Sequence, residues 1–167
     1  MLDLRSREVV WRASDMRGLG REYGNIRGNP VVIGDDIVFS SAYTDGLTAV
    51  SLANGRVNWH VRLGAEMFEQ WSGPIAAEGE IYLARHDGYL HRVDADVKRR
   101  EWSLYLGSSA TAGSAFAGDQ SPPEFEDLGS WRSGLSWPIL ATPSLDRRRL
   151  YVGTSEGWLY CISNIGL

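Results

Sequence analysis

One pattern occurs three times in this chain, beginning at Pro30, Pro74 and Pro143. In each copy a short apolar stretch precedes a polar turn, a second stretch rich in aromatic and β-branched residues, another turn and a third stretch. Stretches of this composition are typical of β-strands, because aromatic and β-branched side chains suit a pleated surface. Self-similarity of this kind indicates a repeat architecture, in which neighbouring units stack to bury a common core. The first and second copies start 44 residues apart, and the second and third start 69 residues apart, so an insertion separates the second copy from the third.

The second turn of each copy ends in an acidic residue followed by glycine. Glycine lacks a Cβ and accepts a positive φ, so we expect these glycines to adopt the left-handed conformation of a tight turn. The pairs are Asp45-Gly46, Asp87-Gly88 and Glu156-Gly157.

A fourth strand is predicted in the first two copies, centred on Trp59 and Trp102. The third copy has no such stretch. Residues 7–13, with the sequence REVVWRA, match the stretches around the two tryptophans. Trp11 is therefore predicted to be the fourth-strand tryptophan of an incomplete unit.

Four short antiparallel strands in a repeat of about 40 to 45 residues form one blade of a β-propeller. The turn glycines, the aromatic second strands and the tryptophan at each blade end resemble the PQQ-like repeat of quinoprotein dehydrogenases and of the outer-membrane assembly scaffold lipoprotein. We therefore predict an all-β fold of β-propeller blades, with two complete four-stranded blades and one blade split between the termini. The predicted boundaries are residues 7–13 for the fourth strand of the split blade, 30–64 and 73–107 for the complete blades, 108–138 for an insertion loop, and 141–162 for the first three strands of the split blade.

Ring closure is the main problem for such a chain. Propellers usually have four to eight blades, because wedge-shaped sheets must close around an axis. The split blade therefore predicts a partial ring that is completed by oligomerisation, with a homodimer of six blades as the preferred hypothesis. The alternative is that the chain is a piece of a longer protein. The predicted latch residues are Val9, Val10, Trp11, Cys161 and Ile162, of which Cys161 is expected to be buried.

The links between blades are expected to carry the binding function. In this architecture they lie on one face, and loops on a rigid scaffold often bind ligands. Arginines suit an anion, and tryptophans beside carboxylates suit a cation, a sugar or a protein partner. The alternative is that the tryptophans cover the rim of the ring and the arginines are solvated. The candidate binding residues are Arg17, Arg21, Arg27, Trp71, Glu124, Phe125, Glu126, Trp131 and Trp137.

No catalytic, metal-binding or cofactor-binding set is predicted. The resemblance implies that a true quinoprotein has calcium ligands, a catalytic aspartate, an arginine on the quinone and a tryptophan beneath it, and the sequence does not supply them together. The histidines His60, His86 and His91 lack metal-ligand spacing. We therefore predict a non-catalytic binding or assembly module. The alternative is a partial or divergent blade set of a PQQ-dependent oxidoreductase, with calcium, or a β-rich appendage of a larger enzyme.

Composition restricts the partners and the compartment. A net charge of -4 argues against nucleic acid, because phosphate binding normally needs a basic face. The apolar runs are too short to span a membrane, and the first residues lack the apolar core of an export signal. A cytoplasmic protein is expected, or a periplasmic one if the chain is a fragment of an exported protein.

Overall fold

A computed structural model of the chain describes residues 1–13, 26, 28–41, 45–64, 71–106, 139–155, 157–163 and 165. Within these residues it contains eleven β-strands in three antiparallel sheets and no helix. The predicted all-β fold of propeller blades is confirmed.

Each sheet is one blade, and its strands are hydrogen-bonded in the order of the chain. Blade 1 contains β1 (Val31–Ile33), β2 (Asp36–Phe39), β3 (Gly46–Ser51) and β4 (Val57–Arg62). Blade 2 contains β5 (Ile75–Ala77), β6 (Glu80–Ala84), β7 (Tyr89–Asp94) and β8 (Arg99–Tyr105). Blade 3 contains β9 (Ser144–Asp146), β10 (Arg149–Gly153) and β11 (Leu159–Ser163), with β11 at the edge of the sheet.

The core lies between the blades. Side chains alternate between the two faces of a strand, so a blade that is packed on both sides buries both sets. Ile81, Leu83 and Val93 on one face of blade 2 pack against blade 1. Tyr82 and Leu90, on the other face, pack in a cluster with Leu150, Val152, Ile162 and Ile165 of the third copy.

The turn between the second and third strands differs between the blades. In blade 1 eight residues lie between Phe39 and its β3 partner Thr48, whereas seven lie between the equivalent Leu83 and His91 of blade 2. Asp45 therefore takes the place of Gly88, and the carbonyl oxygen of each accepts a hydrogen bond from the residue that follows the fourth strand. The repeat alignment through the two Asp-Gly pairs is one residue out of register.

This shift corrects the prediction for Gly46. Gly88 and Gly157 have positive φ values of 87° and 88°, as predicted, but Gly46 does not adopt the left-handed conformation. A Cβ at Gly46 would lie 1.9 Å from the carbonyl oxygen of Val61. Glycine is required there by the close approach of β4.

Candidate assembly surface

Blade 3 has one face that is exposed in this chain. On β11, Ile162 is 6% exposed because it points into the cluster shared with blade 2. The alternate residues Leu159 and Cys161 point the other way and are exposed, and Tyr151 of β10 lies opposite Cys161. We call Tyr151, Leu159 and Cys161 the outward face of blade 3. The prediction that Cys161 is buried is wrong, because its side chain lies on this face.

The other blades show how unusual this exposure is. The β-pairing registers place Leu159 at the position of Leu47 in blade 1 and Leu90 in blade 2. Both of those leucines are fully buried, whereas Leu159 is 73% exposed. Leu47 lies in the cluster shared by blades 1 and 2, and Leu90 in the cluster shared by blades 2 and 3. Leu159 is thus the equivalent of a leucine that, in blades 1 and 2, packs against the following blade.

Residues 7–13 contact blade 1 through Trp11. Val9 forms an isolated antiparallel bridge with Leu2, and the segment contributes no strand to any of the three sheets. The indole Nε1 of Trp11 donates a hydrogen bond of 3.1 Å to the carbonyl oxygen of Leu52, in the turn between β3 and β4. Val9 and Val10 are each about half exposed. Pairing of this segment with β11 is not formed within the chain, so the predicted latch between chains stays a prediction.

Most of the candidate binding residues on the links between blades lie outside the described part of the chain. Trp71 is described and is 47% exposed. The residues outside the described ranges are Arg17, Arg21, Arg27, Glu124, Phe125, Glu126, Trp131 and Trp137.

The turn between β6 and β7 is hydrogen-bonded to the links between blades at Ser72 and Ile139, and it contains a buried ion pair that sequence reasoning missed. Arg85 Nε lies 3.3 Å from Asp87 Oδ2, and the two side chains are 3% and 6% exposed. Arg85 also donates through Nη1 to the carbonyl oxygen of Asp45, 2.7 Å away in blade 1. Burial raises the pKa of Asp87, and the charge of Arg85 opposes that rise. The pair connects the second turns of blades 1 and 2.

Each complete blade also pairs a histidine with a hydroxyl at the same position. In blade 1, Thr48 Oγ1 on β3 lies 3.0 Å from His60 Nδ1 on β4. In blade 2 the two residue types are exchanged between the strands, and His91 Nδ1 on β7 lies 2.8 Å from Ser103 Oγ on β8. The registers Thr48↔His60 and His91↔Ser103 are equivalent. A repeat alignment in the correct register would have revealed this pairing.

The second nitrogen of each histidine has a different environment. His60 Nε2 donates to Asp45 Oδ1 at 2.6 Å, since a carboxylate can only accept. Burial raises the pKa of Asp45, but the hydrogen bond from His60 and the charges of His60 and Arg62 outweigh it, so the pKa is lowered overall. His91 Nε2 is buried and has no hydrogen-bond partner among the described residues. Burial, with the nearby charges of Arg85 and Arg100, holds the pKa of His91 well below its usual value.

This environment predicts a pH-dependent stability. The unfolded chain takes up a proton on His91 below about pH 6.5, whereas the folded chain does not, so the free energy of unfolding falls as the pH drops below that value. We expect a loss of at most about 1.4 kcal/mol per pH unit. In the His91→Thr variant, which copies Thr48 of blade 1, the loss is expected to be smaller. Urea unfolding between about pH 7 and pH 5 measures it. Parallel pH profiles for the two proteins would contradict the assignment.

A second charged network fixes the segment that follows β11. Arg92 donates to the carbonyl oxygen of Ile165 at 2.9 Å and to Glu80 Oε1 at 2.7 Å. Its Nε lies 3.0 Å from Glu101 Oε2. The carboxylates of Glu80, Asp94 and Glu101 lie close enough to share a cation. Arg92 pairs with Glu80 and Glu101 and also bonds Ile165, so it connects blade 2 to the segment after β11.

In the described part of the chain, no helix has the length and apolar character needed to cross a membrane.

The chain is similar in fold to blades of larger propeller proteins. Quinohemoprotein alcohol dehydrogenase from Pseudomonas putida HK5 matches with a TM-score of 0.59 and 14% identity over 84% of this chain and 19% of that protein. The corresponding enzyme from Comamonas testosteroni matches with a TM-score of 0.59 and 14% identity over 86% and 20%. BamB from Moraxella catarrhalis matches with a TM-score of 0.51 and 14% identity over 80% and 32%. At these identities the likeness shows the fold alone, and the chain spans less than a third of each protein.

No curated protein sequence matches the chain. A family model does: residues 1–123, well over half of the sequence, match the family described as outer membrane protein assembly factor BamB. The match covers the residues of blades 1 and 2, which contain the repeated turns and the two fourth-strand tryptophans. This chain therefore belongs to that family of PQQ-like β-propeller repeat proteins.

Proposed function

We propose that this chain is a non-catalytic assembly module, in which the outward face of blade 3 receives a second copy of the chain. The observation that carries the proposal is the exposure of Leu159, which is 73% exposed where Leu47 and Leu90 are fully buried. The family description, an assembly factor, agrees with a role in binding protein.

Physical considerations favour a protein partner at this surface. Covering a leucine of this kind contributes about 1.5–3 kcal/mol. β11 is also an edge strand, and such an edge offers backbone groups to an added strand. A strand from a partner would satisfy the backbone of β11 and cover apolar surface at the same time.

The Leu159→Lys substitution is expected to weaken self-association at least about tenfold, because it places a charge on the surface to be buried. Light scattering across a concentration series measures the dissociation constant. Val97→Lys is the matched control. Val97 is also an exposed aliphatic residue, at 60%, but it lies in the turn after β7, away from the outward face. Equal association of the two variants would contradict the proposed surface.

A second candidate function is a partial blade set of a PQQ-dependent oxidoreductase, which the fold likeness to the two alcohol dehydrogenases favours. Arg85 and Asp87 do not fit a quinone site, since they are buried and paired with each other. An absorbance scan after addition of PQQ and calcium tests this alternative. A chromophore retained at one per chain would favour it over the assembly module.

A further inference from the structure

We infer that the second copy adds residues 8–13 to β11 as a fourth strand, with its Trp11 opposite Cys161. The inference rests on the proposed function and names the segment and the register of the contact. In the inferred dimer, the outward face of blade 3 in one protomer and residues 8–13 of the other belong to one sheet.

The register follows from the complete blades. Trp59 of β4 lies opposite Ala49, and Trp102 of β8 lies opposite Arg92. Ala49, Arg92 and Cys161 are equivalent, because they pair with Val38, Tyr82 and Tyr151 at the same position of the second strand. A fourth strand on β11 thus brings its tryptophan opposite Cys161.

The sequence around Trp11 has the composition of a fourth strand. Val9 precedes Trp11 by two residues, as Val57 precedes Trp59, and both valines are partly exposed. Ala13 follows Trp11 by two residues, as Val61 follows Trp59. In blade 1, Val61 lies opposite Leu47, so Ala13 is placed opposite Leu159 of the partner.

Trp11 contacts blade 1 at the turn between β3 and β4, and the equivalent turn of blade 2 packs against the preceding blade. Its Nε1 bonds the carbonyl of Leu52, and its ring would lie 2.4 Å from a Cβ on Gly55. In blade 2 the equivalent of Leu52 is Ala95, which packs against the cluster containing Trp59. In the third copy, Ile165 of the segment after β11 lies in the cluster that Trp102 packs against.

In the inferred dimer, residues 8–13 form the last strand of a blade that precedes blade 1. The other three strands of that blade are β9 to β11 of the second copy. One chain cannot supply both parts to itself without closing three blades around an axis, which is fewer than propellers use. In two copies related by a twofold axis, each Trp11 segment completes the sheet of β9 to β11 in its partner, which forms two equivalent composite blades.

A disulfide across the new strand pair tests the segment and its register. In a Cys161→Ser background, Ala13→Cys with Leu159→Cys places two thiols at directly opposite positions, where Cα atoms lie about 4.5 to 5.5 Å apart. We expect an inter-chain disulfide after mild oxidation, seen as a doubled mass on a non-reducing gel. The control combines Arg12→Cys with Leu159→Cys, because Arg12 lies one residue away and points to the opposite face.

The outcomes separate this inference from the proposed function. A dimer by light scattering without the disulfide, or equal cross-linking of the control, would overturn the strand register and leave the proposed function standing. A disulfide within one chain would overturn the second copy as the source of the strand. Monomers that form no cross-link would contradict both.

Discussion

Replacing Arg85 with alanine is expected to lower the free energy of unfolding by about 3–5 kcal/mol. The substitution leaves the carboxylate of Asp87 buried without its cation, and a lone buried charge is far more costly than a lost surface contact. It also removes the hydrogen bond from Arg85 Nη1 to the carbonyl of Asp45. Urea unfolding at neutral pH, with an unchanged m-value, measures the loss.

Arg62→Ala is the control for Arg85→Ala. Arg62 also pairs with an aspartate, at 3.2 Å from Asp45 Oδ2, but its side chain is 71% exposed. Exposed pairs contribute about 0–1 kcal/mol. The double variant Arg85→Ala with Asp87→Ala is expected to recover part of the lost stability, since no unpaired charge remains. Similar losses for Arg85→Ala and Arg62→Ala would contradict the role of the buried pair.

Gly73→Ala is expected to destabilise the fold by about 1–3 kcal/mol or more. A Cβ at Gly73 would lie 2.4 Å from the carbonyl oxygen and 2.6 Å from the nitrogen of Asn29, so two backbone segments must separate. The Gly73 amide also donates a hydrogen bond of 2.8 Å to Thr142 Oγ1. The segments that lead into the three blades therefore meet at this glycine, and thermal or urea unfolding measures the cost of moving them apart.

Gly153 offers a matched control within β10. A Cβ there meets no atom within 4 Å, and its φ is not in the left-handed region. Gly153→Ala is expected to leave stability unchanged or raise it by up to about 1 kcal/mol, because alanine restricts the unfolded chain. If both glycine variants unfold at the same denaturant concentration, the close crossing of Gly73 and Asn29 does not limit the fold.

The repeat made the blades predictable from sequence. Trp59 and Trp102 lie at the same register position of their blades, as their sequence context indicates. Alternation along short strands indicated which residues share a face. The tryptophan positions and the strand alternation depend on local sequence, and that local sequence recurs in each blade.

Features that depend on neighbouring blades were not predictable. Cys161 is exposed, against the prediction, because burial of its face of the strand requires another blade. The sequence did not reveal the extra residue in the second turn of blade 1. Both complete blades have an Asp-Gly pair in this turn, and aligning the two pairs conceals that they are offset by one register position.

Charged and polar contacts within the interfaces also escaped sequence reasoning. Asp87 lies in a predicted turn, where its Oδ1 accepts a hydrogen bond of 3.2 Å from the amide of Tyr89. Its second oxygen pairs with Arg85, which reaches blade 1, and no local pattern encodes that contact. The histidine and hydroxyl pairs were missed because blade 2 exchanges the two residue types between strands.

The molar mass of the unmodified chain in solution tests the central claim most directly. Light scattering coupled to size exclusion should give 37 kDa, twice the 18.5 kDa of one chain, at concentrations above the dissociation constant. A homogeneous species of 18.5 kDa that persists as the concentration is raised would contradict assembly through the outward face of blade 3.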